Sequence, residues 1–403
     1  MATVQVHRLN SLLLPEESPL ERTFERNRSH LKGVGELGPE DYARYDRRTL
    51  FYDLALDRSG RRVVGISPPL VNLARELLPL TADARLDAAD DWTKLPVRRR
   101  CRARHERWEL PLPRAWGEVE RVDLRVRFRD GTSLQAEARR PELRQVFQQW
   151  STLQKDNPPE WIEDWVRYAS HQGAERVVLY DNGSEDYGGM EERCATIPAD
   201  IEVVLVPWAF PYGPPRSRYN CFAQAAQMNH AHRILGACTW QGFLDLDEYP
   251  VAPGGLQRLL EAQPRWRGLL RMDNYLVPAI EGEVAPGQLP RARDFGHRAI
   301  QPRGRGHKCF GRSSGLEQIW NHNGRVRLGS VRGPVPVSKL HFLHFERLTT
   351  GWKGQRGADR PFDPALHARS TAVQAAFSEL EPQASRDAAL SATPASMAKV
   401  DAP

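Results

Sequence analysis

The sequence predicts an α/β protein in which a smaller, mainly antiparallel β domain precedes a layered sheet domain. Two observations support this fold class. From about residue 142 onward, short apolar runs typical of buried parallel strands alternate with segments of helical spacing. Before that point, apolar and polar residues alternate with a period of two, as in strands with one solvated face. The predicted domains are 1–141, 142–360 and a C-terminal part, 361–403, with one short helix and a disordered Ala/Ser/Pro-rich tail.

Two hairpins predict the antiparallel domain. Apolar and charged residues alternate over 122–128, Asp130-Gly131 supplies a turn, and the alternation then resumes, so 121–139 is predicted to form a hairpin. A second pair of strands is predicted over 51–56 and 62–66. Together they indicate a small sandwich.

The layered domain is predicted from apolar runs and helical spacing. The predicted elements are strands over 146–153, 176–180, 201–207 and 238–246, a helix beginning near Asn157, and a helix over 221–235 with Asn220 as its N-cap.

Composition and charge exclude several classes of protein. The chain has 403 residues, of which 40% are hydrophobic and 27% charged, as expected of a soluble protein with two or three domains. No apolar run approaches the roughly 18 residues of a membrane span, and the N-terminus does not read as a secretory signal. A formal net charge of +6 is too small for a dedicated nucleic-acid binder. The five scattered cysteines indicate neither a disulfide framework nor a zinc knuckle, so the expected location is cytoplasmic.

The most informative segment is Phe243-Leu-Asp-Leu-Asp-Glu-Tyr249, where an apolar strand ends in acidic residues. On an extended backbone, Asp245 and Asp247 project to the same face, at the carboxyl end of the strand where α/β sheets bind ligands. Two carboxylates at one point repel each other unless a cation lies between them, and Mg²⁺ or Mn²⁺ that also binds a diphosphate suits such a site. A plain acidic turn is the alternative interpretation.

Asp181 ends a second buried strand. At this position a doubly wound sheet commonly places an acid that hydrogen-bonds the ribose or base of a nucleotide. The alternative is that Asp-Asn-Gly-Ser is simply a favourable turn.

Histidines and cations elsewhere are weaker signals. His341 and His344 are three residues apart and face opposite ways on a strand, so at most one is predicted to be a ligand. His230 and His232 point in different directions at the end of a helix and do not predict a metal pair. Lys308, Arg312 and Lys353 could supply positive charge to phosphates, or lie on a solvated face.

Five segments occur in an order that resembles glycosyltransferase family 92 and related family-2-like enzymes, over roughly residues 145–355. They are 150–165, Gly173–Ser184 (GAERVVLYDNGS), Gln224–His230, Phe243–Tyr249 and His344–Lys353. The strand end YDNGS followed by FLDLDEY is the specific part of the match. The resemblance implies a GT-A fold, with a Rossmann-like half for a nucleotide sugar and a second half for the acceptor.

The resemblance and the chemistry of sugar transfer together predict the roles of residues. Asp245 and Asp247 would hold Mn²⁺ or Mg²⁺, and His344 would complete the metal site. Asp181, with Lys155 and Asp156 at the adjacent strand end, would orient the donor, while Arg312 or Lys353 would assist at its phosphates. Asp273 is the first candidate for the general base, followed by Glu281 and Glu283.

The predicted function is therefore metal-dependent transfer of a hexose from a nucleotide sugar, expected to be a UDP-sugar, to a glycan or lipid-linked acceptor, with inversion. A non-catalytic carbohydrate-binding protein on a degenerate transferase fold is the alternative, and a nucleotidyltransferase is a third interpretation, weakened by the lack of a Gly-rich phosphate loop at Leu153–Pro159. Nucleic acid is not expected as a partner. Peripheral contact with the inner membrane face through Arg98–Arg100 is one possible role of the first domain.

Overall fold

A ten-stranded mixed sheet forms the centre of the protein, and two four-stranded antiparallel sheets come before most of it in the chain. The computed structural model describes residues 1–23, 46–102, 104–213, 221–348, 350 and 361–380. The predictions made for Asn220, Lys353 and the tail 381–403 lie outside these residues.

The first eleven strands run from the N-terminus to residue 139. They are β1 (Thr3–Val6), β2 (Leu12–Leu13), β3 (Thr49–Phe51), β4 (Asp53–Leu56), β5 (Arg62–Ser67), β6 (Thr81–Arg85), β7 (Thr93–Leu95), β8 (Arg98–Cys101), β9 (Glu106–Pro111), β10 (Arg121–Arg127) and β11 (Ser133–Arg139).

The remaining strands follow from residue 146. They are β12 (Val146–Gln154), β13 (Arg176–Asp181), β14 (Glu202–Pro207), β15 (Cys238–Phe243), β16 (Glu248–Val251), β17 (Arg267–Val277), β18 (His297–Ala299), β19 (Arg303–Arg312), β20 (Leu316–Trp320), β21 (Asn323–Val326), β22 (Val331–Pro334), β23 (His341–Phe345) and β24 (His367–Arg369). The described helices are α1 (Leu73–Leu77), α2 (Pro159–His171), α3 (Met190–Ala195), α4 (Phe222–Arg233), α5 (Leu256–Glu261) and α6 (Ala372–Leu380).

The two antiparallel sheets have the orders β4-β5-β9-β8 and β11-β10-β6-β7, and their facing apolar side chains share one core. Both predicted hairpins are confirmed: Arg121 pairs with Arg139 at the open end of β10–β11, and Asp53 pairs with Ile66 at that of β4–β5. Alternating burial along β10 follows the period-two pattern, because every second side chain enters this core.

The large sheet has the order β1-β14-β13-β12-β15-β19-β17-β23-β16, and β22 also pairs with β17. Strands β1 and β12 to β15 run parallel, and the strands predicted over 146–153, 176–180 and 201–207 are confirmed. Strand β1 joins this sheet beside β14, whereas the sequence predicts residues 1–141 to form the antiparallel domain. The division of the chain at residue 141 stays a prediction.

Aromatic packing fixes α2 on one face of the large sheet. The helix begins at Pro159, where proline's fixed φ suits the first turn and its missing N–H is not needed. Trp161 and Trp165 recur at the spacing of one helical face and are buried. Trp165 meets Trp150 of β12 at a ring-centroid distance of 5.5 Å, and Trp150 also packs edge-on against Phe310.

Helix α4 lies between the other face of the large sheet and the sheet that contains β4 and β5. Side chains from all three share a core. A polar chain crosses it: the Tyr180 hydroxyl is 2.8 Å from His230 Nδ1, and His230 Nε2 is 2.8 Å from Asp53 Oδ2. His7 Nε2 approaches the same carboxylate oxygen at 3.2 Å. Burial by itself would raise the pKa of Asp53, but the hydrogen bonds from His230 and His7 hold that pKa well below its usual range.

Replacing Trp150 with alanine tests how much this aromatic packing stabilises the large sheet. The side chain is fully buried, so Trp150→Ala should lower the free energy of unfolding by about 3–5 kcal/mol through lost burial and a residual cavity. Urea denaturation followed by circular dichroism measures the change. Trp266 is 54% exposed and is the matched control, whose alanine variant should change the free energy by about 0.5 kcal/mol or less. Equal effects of the two substitutions would contradict the assignment of Trp150 to the core.

Candidate active site

One edge of the large sheet gathers the ends of several strands. The parallel strands β12, β13 and β15 end there at Gln154, Asp181 and Phe243. Strand β19 runs antiparallel between β15 and β17, so its N-terminal end reaches the same edge, and Lys308 lies near the middle of the strand. Carboxyl ends of parallel strands are where open α/β sheets bind their ligands, so this edge is the candidate site.

The acidic segment after β15 forms a turn. The strand predicted to continue to Leu246 ends at Phe243, and Asp245 and Asp247 lie in the turn that leads into β16. The expectation that the two carboxylates share one face of an extended strand is therefore wrong. The physical reason is a tight reversal, in which the Glu248 N–H donates to the Asp245 carbonyl and the Asp245 N–H donates to Glu248 Oε2.

Asp247, Glu248 and His344 form a cluster that could hold a metal ion. One ligand atom from each lies within 4.8 Å of the others, and His344 Nε2 is 3.3 Å from Asp247 Oδ2. The antiparallel pairing of β16 with β23 brings the sequence-distant groups together, because it sets Glu248 directly opposite His344. Two carboxylates and one imidazole suit Mn²⁺ or Mg²⁺.

Asp245 occupies a different environment. Lys308 Nζ is 2.8 Å from Asp245 Oδ2 and 2.9 Å from Glu248 Oε2. Burial would lower the pKa of Lys308, but the two carboxylates outweigh this and raise it. Burial raises the pKa of Glu248, and Lys308 opposes that shift. Lys308 thus bridges Asp245 to Glu248 of the cluster. A direct metal contact of Asp245 stays a prediction.

A polar network supports Asp245 from helix α4. Gln224 Nε2 donates to Asp245 Oδ1 at 2.9 Å. The side-chain oxygen Oε1 of Gln224 in turn accepts hydrogen bonds from the Tyr212 hydroxyl and from Asn321 Nδ2. The buried carboxamide is therefore fixed in one orientation by partners on both sides.

Asp181 caps the turn that follows β13. Its Oδ2 accepts the backbone N–H groups of Gly183 at 3.0 Å and Ser184 at 2.9 Å, while its Oδ1 accepts from the Ser184 hydroxyl and from Gln154 Nε2. The segment Asp181–Ser184 thus forms the favourable turn that was the alternative interpretation of this sequence. Contact of Asp181 with a nucleotide stays a prediction.

The loops after β12 and β13 border a cavity. The Asp156 N–H donates to the Ser184 hydroxyl at 2.8 Å, and Asp156 Oδ1 accepts the Glu185 N–H at 2.9 Å. These contacts hold Asp156 at a φ of 50°, a left-handed conformation that is unusual outside glycine. Asp156, Asn157 and Ser184 help to line a cavity of about 680 Å³. Lys155 precedes Asp156 in the chain, and its backbone carbonyl accepts a hydrogen bond from the Thr350 hydroxyl at 3.4 Å.

Two predicted site residues lie elsewhere. Arg312 is at the far end of β19, where it stacks on Trp240 at 4.4 Å and donates to the Gln263 carbonyl. Arg312 is four positions along the strand from Lys308, a distance of about 13 Å between Cα atoms. The antiparallel direction of β19 carries Arg312 to the opposite edge of the sheet. On β17, Asp273 pairs with His341, and Leu276, three residues later, pairs with His344. Alternation therefore turns Asp273 to the other face of the sheet from His344.

Two residues of the candidate site are not predicted from the sequence. Glu248 lies inside the acidic segment, but a strand geometry gave no reason to choose it over its neighbours. Gln224 carries no local signal, because its contact depends on where α4 packs.

Residues 153–374 match the family described as Glycosyltransferase family 92. The chain belongs to glycosyltransferase family 92. The matched part contains the Asp247, Glu248 and His344 cluster, and the resemblance drawn from the sequence is confirmed.

Individual relatives within family 92 are distant. The chain is 34% identical over 102 residues to a family 92 protein of Ricinus communis, a match that covers 25% of this chain and 16% of the relative. It is 32% identical over 101 residues to one of Oryza sativa subsp. japonica, covering 24% and 15%. The matched segments thus span about a sixth of the relatives' own length.

Among solved structures, HddC from Yersinia pseudotuberculosis aligns with a TM-score of 0.29 and 11% identity, over 49% of this chain and 92% of that one. At that TM-score the likeness supports no conclusion. Among the helices that the structure describes, none has the length and apolar character needed to cross a membrane.

Removing the buried ammonium tests the charge balance of the site. Lys308 is 2% exposed, and Lys308→Met would leave Asp245 and Glu248 without their cation, so the free energy of unfolding should fall by about 3–5 kcal/mol. Urea denaturation with a chelator present measures this. Adding Glu248→Gln should restore part of the loss, and exposed Lys94→Met is the control. Equal stability of the Lys308 and Lys94 variants would refute the charge-balancing role.

Proposed function

We propose that the protein is a metal-dependent glycosyltransferase that moves a hexose from a nucleotide sugar, a UDP-sugar as first choice, to a hydroxyl of a glycan or lipid-linked acceptor. The observation that supports it is the convergence of Asp247, Glu248 and His344 at the carboxyl edge of the sheet, inside the family 92 region.

The charge of the site supports a divalent ion. With neutral His344, the three carboxylates of Asp245, Asp247 and Glu248 and the ammonium of Lys308 leave a formal charge of −2. A divalent cation neutralises that charge. The proposed cofactor is Mn²⁺ or Mg²⁺, held by Asp247, Glu248 and His344, with Asp245 fixed beside them.

The proposed fold of the layered part is GT-A. The parallel order β14-β13-β12-β15 with helices on both faces is a Rossmann-like nucleotide-binding arrangement, and β17 and β23 extend it on the acceptor side. The donor nucleoside would occupy the cavity beside Asp156 and Ser184, where the Asp181 turn shapes one wall.

Different groups of the site would stabilise the leaving diphosphate, support the acidic turn and orient the donor. When bound, the metal stabilises the charge that develops on the leaving diphosphate, which is usually the largest electrostatic contribution. Lys308 and Gln224 hold Asp245 rigidly, so the acidic turn does not reorganise as that charge forms. The loops at Asp156 and Asp181 orient the donor before transfer.

Asp273 is the proposed general base of an inverting reaction. Because its side chain faces the side of the sheet opposite His344, this proposal requires the acceptor to lie on that side, with its reacting hydroxyl at the edge of the sheet. The Asp273 carboxylate is 29% exposed, and His307 Nδ1 lies 2.7 Å from Oδ1. Glu283 is committed to other contacts, since its Oε1 accepts the Gly296 N–H and lies 2.7 Å from His297 Nδ1. Glu281 is exposed on a turn.

The first test concerns the metal ligands. Screening UDP-sugars for Mn²⁺-dependent release of UDP should find a donor, and Asp247→Asn should lower that rate by roughly 100-fold or more because a main electrostatic contributor is lost. His344→Ala should raise the Mn²⁺ concentration needed for half-maximal rate. Asp83→Asn changes a similarly buried carboxylate in the β6 sheet and should leave the rate unchanged.

Full turnover by the Asp247→Asn variant would remove the metal role. Absence of any donor turnover by the wild-type chain, with glycan binding retained, would favour the carbohydrate-binding alternative.

The second test separates the base from the metal site. Asp273→Asn should lower the rate of transfer to the acceptor by roughly 100-fold, within the usual range for general-base catalysis, while the Mn²⁺ titration stays that of the wild type. Glu281→Gln is the matched control with an unchanged transfer rate. A larger effect of the Glu281 substitution would move the base to that residue.

A further inference from the structure

His7, Asp53 and His230 form a second cluster of metal-binding groups, remote in the fold from the acidic turn. One ligand atom from each lies within 4.8 Å of the others. Asp53 Oδ2 is 2.8 Å from His230 Nε2 and 3.2 Å from His7 Nε2, so both imidazoles approach the same carboxylate oxygen. No local spacing reveals the cluster, because 46 residues separate His7 from Asp53 and 177 separate Asp53 from His230.

The Asp53 carboxylate is deeply buried, and among the described residues its ion-pair contacts are the two imidazoles. Asp53 and His230 are 1% and 0% exposed, inside the core shared by the large sheet, α4 and the β4 sheet. Within the described part of the chain, no lysine or arginine forms an ion pair with Asp53. A buried carboxylate is costly unless it is compensated, and a divalent cation among these three ligands would compensate it.

The outer contacts suit metal ligation. A ligating histidine usually hydrogen-bonds through its other ring nitrogen, and His230 Nδ1 lies 2.8 Å from the Tyr180 hydroxyl. The second carboxylate oxygen of Asp53 accepts the Asn10 N–H at 2.8 Å, which leaves Oδ2 directed at the two imidazoles. Each inner ligand on the buried side therefore has a partner that fixes its direction.

We propose that His7, Asp53 and His230 bind one structural Zn²⁺ ion that joins three parts of the chain: the segment after β1, the first strand of the β4 sheet and helix α4. Two imidazole nitrogens and one carboxylate oxygen are ligands that zinc accepts, and a water molecule on the partly exposed His7 side would complete a tetrahedron. Burial within a packed core leaves no room for a substrate, so the role is structural. This inference does not depend on the proposed transferase activity.

The experiment counts bound zinc in the full chain. Protein with its affinity tag removed is stripped with a chelator, incubated with Zn²⁺, desalted and analysed by mass spectrometry for metal content. The wild type should hold two ions per chain, because Zn²⁺ also enters the Asp247, Glu248 and His344 cluster. His344→Ala should hold one, His7→Gln should hold one, and the double variant none.

Controls make the two sites distinguishable. His171, which is 24% exposed on α2, is the match for His7 at 16%, and His171→Gln should keep both ions. Asp53→Asn, checked for folding by circular dichroism, should lose the same ion as His7→Gln. Added Zn²⁺ should also raise the thermal midpoint of the His344→Ala variant and not that of the double variant.

The contrary outcomes are equally distinct. Zinc content of His7→Gln and Asp53→Asn equal to the wild type overturns the proposal and makes the cluster a hydrogen-bonded contact only. A wild type with a single ion that His344→Ala loses refutes this site and leaves the acidic cluster intact. A single ion that only His7→Gln loses supports this site and counts against the metal of the proposed transferase.

Discussion

The central constraint on this molecule is the crowding of negative charge where β15 ends. Asp245, Asp247 and Glu248 fall within four consecutive residues, and Asp247 and Glu248 are largely withdrawn from water. Carboxylates this close repel one another strongly in a medium of low dielectric constant. The turn is stable only because Lys308 lies between two of them and hydrogen-bond donors hold the first. The remaining deficit of positive charge is the reason for which we propose a divalent cation at this site.

The topology of the large sheet makes this arrangement possible. A fully parallel sheet would bring only carboxyl strand ends to one edge. Here β19 runs in the opposite direction between β15 and β17, so a residue from the middle of an antiparallel strand supplies the ammonium. Strand β23, parallel to β17, delivers His344 to the same edge opposite Glu248. Strands from three separate parts of the sequence therefore contribute one group each.

Local patterns predicted much of the fold and part of the site. Compact apolar runs identified β12, β13 and β14 because strands buried on both faces must be apolar throughout, and alternation identified β10 because one of its faces is wet. Asp247 and His344 were found as candidates, and the structure brings them together. Glu248 was missed because it begins a new strand after the turn, and its pairing opposite His344 depends on the partner strand β23. Arg312 was misplaced because strand direction is a property of the whole sheet.

Helix α4 connects the antiparallel sheets to the acidic turn. Its first turn carries Gln224, which orients Asp245, and its third turn carries His230, which contacts Asp53 of the β4 sheet. A helix is stiff over so short a length, so a displacement of the β4 sheet would move Gln224 as well. Burial of the helix on all sides opposes such a displacement, since every residue from Phe222 to His232 is buried. The antiparallel sheets therefore help to position the candidate site. Their contact with α4 holds the helix in place, and the helix holds Asp245 through Gln224.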